Sequence, residues 1–348
     1  MRTHIQHTYN KCRCHFITPD VLENLARAGV DDARLSISQS IALRTKRSAT
    51  AVSMQTLMGI APPGEGPRKA YDCQNQWAQR VNLARNEGDP ATGDSSVDNA
   101  YDFAGNVGDH LKEALNRNSW DGIGSDIIIN VHYGTNFMNA FWDGDELTLG
   151  EGDNNIFTDF SKSLDVVSHE LGHGVVQTTA GLNYFSQSGA LNEHFADVFG
   201  TIVTQHVLGQ NAEEADWLIG DEIMGPALFG EALRSMRAPG TAYDNPLMGR
   251  DPQPDHMSNY YSGPGDNQGV HINSGIPNKA FYLVAREIGT SMAAKVWYHG
   301  LQNLWPTATF NDAVATLTKS ARILVKNGDV PLGTTQVVRY AFKEVGLY

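Results

Sequence analysis

The stretch "VVSHELGHGV", residues 166–175, sets His169 and His173 four positions apart, with Glu170 directly after the first. On a helix, positions i and i+4 share one face about 6 Å apart, so both imidazoles can reach one ion. Glu170 falls about 100° around the axis, where it can take a proton from water without binding the metal. Two zinc ligands plus a general base is the mechanical meaning of this spacing. An ordinary helix with two solvated or core histidines would show the same pattern, so a third ligand is the test.

"SGALNEHFADVFG", 188–200, offers Glu193 on what reads as a second helix beginning at Ser188 or near Gly189. Running antiparallel to the first, it would carry Glu193 across from the histidines. Asp197 follows four positions later on the same face. A zinc-bound imidazole usually donates its other N–H to a carboxylate, and Asp197 is placed to accept it from His169. Two carboxylates at i and i+4 repel, which a nearby metal and histidine would justify. Three protein ligands leave a fourth position open, the mark of a catalytic rather than a structural zinc.

The elements that must hold these groups follow from pattern. Apolar residues at helical spacing mark 165–180, 191–208, 274–289, 291–304, 310–326 and 335–346 as helices. "SSVDNAYDFAGNVGDHLKEALNRNS" reads as an earlier helix capped by Ser95 or Ser96. "DIIINVHYG", 126–134, is β-branched and bounded by turn formers, hence a strand. "WDGDELTLGEGDN" reads as a β-hairpin, and 239–269 as a long aperiodic loop of the kind that is functional or disordered. "MGIAPPGEGPRKA", 58–70, reads as a linker or extended arm. The expectation is an α+β protein of two lobes, β-rich then helical, with the metal helix between them. Its divisions are a short N-terminal segment 1–47, a β-rich lobe 48–164 and a helical lobe 165–348.

At 348 residues the chain can bury a sizeable core, and 41% hydrophobic with 19% charged residues describes a soluble globular protein. A formal charge of −13 without a basic face argues against nucleic acid. No apolar run approaches the roughly 20 residues of a membrane helix, and the first residues carry no recognisable secretory signal. Three cysteines, Cys12, Cys14 and Cys73, exclude a disulfide scaffold. Cys12 and Cys14 can bind a metal transiently, the catalytic one included, or be incidental reduced thiols.

"HELGH", "NEHFAD" and "GDNQGVHINSGIPNKAFY", 265–282, together resemble the thermolysin-like zinc metalloproteases, the gluzincin neutral proteases, from about Tyr71 to the C-terminus. "CHFITPDVLENLARAG" resembles the subgroup of protealysin, whose pro-region is short. The resemblance implies a two-lobe fold with the zinc helix at the floor of the cleft. It makes His169, His173 and Glu193 the zinc ligands and Glu170 the base. His271 matches the histidine that stabilises the oxyanion, Asp266 the carboxylate paired with it, and Tyr184 the second oxyanion donor. Asn139 and Ala140 match the edge that binds substrate backbone, and Arg234 the arginine that holds a substrate carbonyl. Phe157, Phe160, Val166, Ile219 and Leu233 match the lining of a pocket for a bulky apolar residue just after the scissile bond.

Where the family has a double calcium site, Asp165, Asp216 and Asp221 are present. Thr204 and Leu218 stand in place of glutamates. Fewer anionic ligands weaken a hard-cation site, so the expectation is at most one calcium. The implied activity is a zinc endopeptidase made as a precursor and working as a monomer on protein or peptide substrates. The resemblance implies secretion; the absent signal leaves a cytoplasmic place as the alternative. A non-catalytic, metal-holding relative would be expected to lose Glu170 or His271, and both are present. A latent precursor is the other alternative. Val21, Leu22 and Leu25 share one side of a helix too short to bury its own core, so the segment 1–47 should dock on the body, and the resemblance to protealysin-type precursors implies that it covers part of the cleft. Lys46-Arg47 before small polar residues reads as an exposed, cleavable junction.

Overall fold

The computed structural model describes residues 14–50 and 66–348, with 43–50 as helix backbone only. The short strand β1 (Cys14–His15) leads into the helices α1 (Pro19–Arg27) and α2 (Asp31–Thr50). β2 (Arg68–Asp72), β3 (Asn82–Asn86), α3 (Ser95–Leu115), β4 (Ile127–Val131), β5 (Ala140–Trp142) and β6 (Leu147–Leu149) form the β-rich part. α4 (Leu164–Thr179) and α5 (Ser186–Leu208) cross the centre. Two two-stranded ribbons follow, β7 (Leu218–Ile219) with β8 (Arg234–Ser235) and β9 (Asp244–Asn245) with β10 (Gly249–Arg250). The chain ends in α6 (Gly265–Asn273), α7 (Gly275–Ile288), α8 (Thr290–Leu301), α9 (Phe310–Asn327) and α10 (Thr334–Glu344).

The main sheet has the order β1-β5-β6-β4-β2-β3. β2 and β6 run parallel to β4, while β5 and β6 form the expected antiparallel hairpin. β4, "IIINV", is buried at every position, as an apolar β-branched run between parallel neighbours must be. The N-terminal segment supplies the edge strand itself, with Cys14 opposite Trp142 and His15 opposite Phe141.

α4 is buried along Leu164–Gln177 and α5 along most of Ser188–Val203. A helix enclosed on all sides is normally apolar throughout. These two instead carry His169, Glu170, His173, Glu193 and Asp197, so each polar group needs a specific partner. Gly172 sets the distance between them: a Cβ there would lie 3.0 Å from Phe199 Cβ and 3.2 Å from Ala196 Cα. The middle residue of "ELGHG" therefore lets the facing backbone approach.

Several elements begin elsewhere than the pattern suggests. The cap of α3 is Asp94, which accepts from Ser96 N at 2.9 Å, rather than either serine. α5 starts at Ser186, ahead of Ser188 and Gly189. The stretch 239–269 is ordered by the β9–β10 ribbon and by Asp251, which accepts from the backbone N–H of Gly240, Ala242 and Gln253. Of the linker 58–70, Arg68–Ala70 belong to β2; the rest of its described part is short, and 58–65 lie outside the described residues. Cys12 lies outside them too. α2 continues as helix through positions 46 and 47, whose side chains are outside the described residues, so the exposed-junction reading is not tested there. No helix among the described residues is long and apolar enough to cross a membrane.

Candidate active site

α4 and α5 bring three lone-pair donors to one buried point. His169 Nε2 and His173 Nε2 are 3.0 Å apart, and Glu193 carboxylate oxygens lie 3.5 and 3.6 Å from them. The tautomers follow from the other ring nitrogens. His169 Nδ1 faces Asp197 Oδ1 at 2.9 Å, and His173 Nδ1 faces Asn192 Oδ1 at 2.8 Å; both partners are acceptors, so both Nδ1 atoms carry the proton. The two Nε2 atoms therefore face each other, beside the Glu193 carboxylate, whose Oε2 accepts no hydrogen bond among the described residues. Such a cluster is repulsive without a cation, and two imidazoles with one carboxylate suit zinc. Burial depresses His173 to about 3, which keeps it neutral and available as a ligand.

Glu170 is wholly buried, with no side-chain donor on its carboxylate among the described residues and the Trp142 backbone N–H beside it. Burial first, then the charge of Glu193, pushes its carboxyl well above the usual range. A buried carboxyl beside a metal site, ready to hold a proton, is what a general base requires. On the opposite side, His271 Nδ1 lies 2.5 Å from Asp266 Oδ1. Burial opposes the imidazolium, but Asp266 and Glu193 outweigh it and raise His271 to about 9. Residues 266–269 all have positive φ, and this left-handed turn folds Asp266 back to accept from His271 N and Ile272 N. Backbone strain of this kind marks functional sites. The Tyr184 hydroxyl bonds Glu193 and lies 3.0 Å from His271 Nε2.

Asn139, Ala140 and Arg234 line the same cleft and are all engaged by the N-terminal segment. Phe16 N donates to Ala140 O at 3.0 Å, and Ile17 N to Asn139 Oδ1 at 2.8 Å. Arg234 Nη1 reaches Phe16 O at 3.4 Å. The Phe16 ring is fully buried, edge-on to His169 at 5.1 Å and 4.9 Å from the Arg234 guanidinium. Phe157, Phe160, Val166, Ile219 and Leu233 are buried in the same core as Phe16. Gly220 was not singled out from sequence: its φ is +74, and a Cβ there would lie 2.9 Å from Leu233 Cδ1 and 3.0 Å from Phe16 Cε1. Only a missing side chain leaves room for that ring.

Asp197 has two further partners that helical spacing did not suggest. Arg234 Nε and Nη2 both donate to it, and Asn278 Nδ2 donates to Oδ2 at 2.9 Å. Burial works against its charge, yet Arg234 and His169 hold its carboxyl far below the usual range. Asn192 was missed as well, although it directly precedes Glu193 and fixes the His173 tautomer. We expect Asp197→Asn to weaken zinc affinity about 10–100-fold, the usual loss for a group that orients a ligand. It should also destabilise the fold by about 3–5 kcal/mol, because buried Arg234 loses its counter-charge. Chelator competition and thermal unfolding measure the two effects; wild-type values in both would mean that Asp197 does neither job.

The calcium candidates present a different picture. Asp165 spends its oxygens on Ser163 and Gly220 N, and Asp216 Oδ1 accepts from Leu218 N. Glu222, not considered from sequence, joins the group: burial and neighbouring carboxylates raise Asp165 to about 7 and push up Asp221 and Glu222. Of the cysteines, Cys73 is a buried thiol pushed up to about 12 by burial. Cys14 is disulfide-bonded, which corrects the reading of it as an incidental reduced thiol. Its Sγ still lies close to the cluster, within 4.8 Å of ligand atoms of His173 and Glu193.

The catalytic-domain description of the thermolysin metallopeptidases matches residues 35–177, and the description of their alpha-helical domain matches 180–347. Protease PrtS of Photorhabdus sp. (strain Az29) is 45% identical over 287 residues, covering 80% of this chain and 76% of its own. An extracellular metalloprotease of Pectobacterium carotovorum subsp. carotovorum is 43% identical over 301 residues, covering 83% and 84%. Among solved structures, the precursor of protealysin, a metalloproteinase from Serratia proteamaculans, superposes with a TM-score of 0.84 at 38% identity, covering 96% of this chain and 100% of that one. The chain belongs to the thermolysin metallopeptidase family and is a zinc-dependent endopeptidase with that family's α+β fold.

Proposed function

We propose that this chain is the latent precursor of an endopeptidase that cuts on the amino side of bulky hydrophobic residues. The observation that carries the reading is Phe16, seated beneath Arg234 with its N–H on Ala140 O. The segment up to about residue 47 is then a propeptide lying across the cleft, followed by the β-rich part to 164 and the helical part from 165. Val21, Leu22 and Leu25 are buried as the docking face of α1. Asn24 Nδ2 donates to Met248 O at 2.6 Å, and Met138 N donates to Ser36 Oγ at 3.0 Å.

His169, His173 and Glu193 would hold zinc, which supplies a Lewis acid for the scissile carbonyl and acidifies a water. Glu170 takes the proton of the attacking water and returns one to the leaving amine. His271, oriented by Asp266, and the Tyr184 hydroxyl donate to the oxygen on which negative charge develops. Asn139, Ala140 and Arg234 align the substrate backbone, while Phe157, Phe160, Leu233 and Gly220 shape the pocket behind the cut. Asp197 fixes both His169 and Arg234, coupling metal geometry to substrate alignment. We further propose secretion, as for the extracellular relative, a monomeric enzyme, and at most one calcium. A cation near Asp165, Asp221 and Glu222 would relieve the repulsion among these crowded carboxyls.

Latency is tested with a small peptide carrying an internal Phe. The intact zinc-loaded chain should hydrolyse it far more slowly than the same protein after the N-terminal segment is removed, and a chelator should stop both. A separately made 1–47 peptide should inhibit the processed form. Equal rates before and after removal would sink the inhibitory role.

A further inference from the structure

The N-terminal segment lies in the cleft with a definite polarity. Its His15 carbonyl oxygen is 3.0 Å from His271 Nε2. The next N–H, of Phe16, is on Ala140 O at 3.0 Å. The next carbonyl, of Phe16, is on Arg234 at 3.4 Å, and Asn139 then brackets Ile17, accepting from its N–H at 2.8 Å and donating to its carbonyl at 3.2 Å. One peptide bond thus has its carbonyl oxygen on an oxyanion donor and a bulky aromatic ring in the pocket directly after it. That bond joins His15 to Phe16.

We infer that His15–Phe16 is itself a substrate of this chain, and that cutting it leaves residues 16 onward seated, giving a nicked protein that is still latent. The inference rests on the roles proposed above for Glu170, His271 and Arg234. In the cut, the oxygen of a water joins the His15 carbonyl carbon and the bond to the Phe16 nitrogen breaks. One water proton passes by way of Glu170 to that nitrogen, and the other stays with the new His15 carboxyl group. No oxidant or reductant is required. The new amine of Phe16 keeps Ala140 O as its acceptor.

Retention follows from where the contacts lie. On the carboxyl side of the bond, Phe16, Ile17, Val21, Leu22, Leu25 and Ala33 are each at most 2% exposed. Asn24 and Ser36 add hydrogen bonds to the body, at 2.6 and 3.0 Å. Cutting before Phe16 removes none of these. A cleaved strand held in this way is a product that dissociates slowly, because burial governs the off-rate more than the encounter rate.

Two measurements on the full-length chain test this. In the metal-free protein, hydrogen exchange should find the Phe16 and Ile17 amides protected, and Phe16→Ala should expose both. In the zinc-loaded protein, intact mass and N-terminal analysis should reveal a species beginning at Phe16. It should form at a rate independent of protein concentration and be absent in Glu170→Gln. Hydrolysis of an added peptide should stay at the latent level while this species accumulates. If the processed enzyme digests casein but no product begins at Phe16, this inference falls and the proposed function stands. A rise of activity in step with the nick overturns the retained-product half. A processed form inactive on casein overturns the proposed function and this inference together, whatever the exchange pattern.

Discussion

Glu170→Gln should leave the zinc bound and reduce peptide hydrolysis by at least about 10²–10⁴-fold, the contribution of a positioned acid–base group. Gln keeps the volume and planar shape of the side chain but cannot take a proton. Glu170 is not needed as a ligand, since His169, His173 and Glu193 converge without it. The donor beside it is the Trp142 backbone N–H, from which the Gln carbonyl oxygen can still accept. The metal content of the purified variant should therefore match wild type and its fold should be no less stable. It should be no less stable because a buried carboxyl is exchanged for a neutral amide. Metal analysis and turnover on one preparation separate the two effects. Wild-type turnover would remove Glu170 from the chemistry, and loss of zinc would make it a ligand.

His271→Ala should lower kcat by about 10²–10³-fold in the processed enzyme, the usual cost of one oxyanion donor, with little change in KM. The expectation comes from geometry. His271 Nδ1 is committed to Asp266 at 2.5 Å, which leaves Nε2 as the group aimed into the cleft, 3.0 Å from both Tyr184 Oη and His15 O. Charge that develops on a substrate oxygen at the His15 O position would meet that donor in the transition state, more strongly than in the ground state. Steady-state kinetics on a peptide with Phe after the cut would measure the split. An unchanged kcat with a raised KM would make His271 a residue that only binds substrate. Asp266→Asn should produce a weaker version of the same loss, because the turn that folds residue 266 back over the ring can persist while the charge is removed.

The metal centre was legible in the chain because its parts are local. Four-residue spacing on one helix puts His169 and His173 together, and the same spacing on the next puts Glu193 and Asp197 together. Helix existence was equally local, carried by apolar periodicity; the reciprocal cap that Thr309 and Asp312 form on α9 came with the structure. The starts of α3 and α5 were less legible, since any of several adjacent polar residues can cap and the choice depends on the preceding turn.

By itself, then, the sequence determined that two helices bring His169, His173 and Glu193 together with Glu170 beside them and, through the matching of longer motifs, the family. Tertiary structure alone decided which distant groups share those partners. Arg234 reaches Asp197 from a ribbon 37 positions along the chain, and Asn278 reaches it from 81 positions away. Phe16 fills a pocket whose wall is left open by Gly220, and His15 meets His271 across 256 positions. Gly220 N and the Ser163 hydroxyl, brought in by the fold, share the Asp165 oxygens, which its place in the chain did not indicate. Spacing along a helix is fixed by 3.6 residues per turn and can be read from the chain. The pairing of buried charges is fixed by which surfaces close over one another, because an ion excluded from water must find whatever partner the packing supplies.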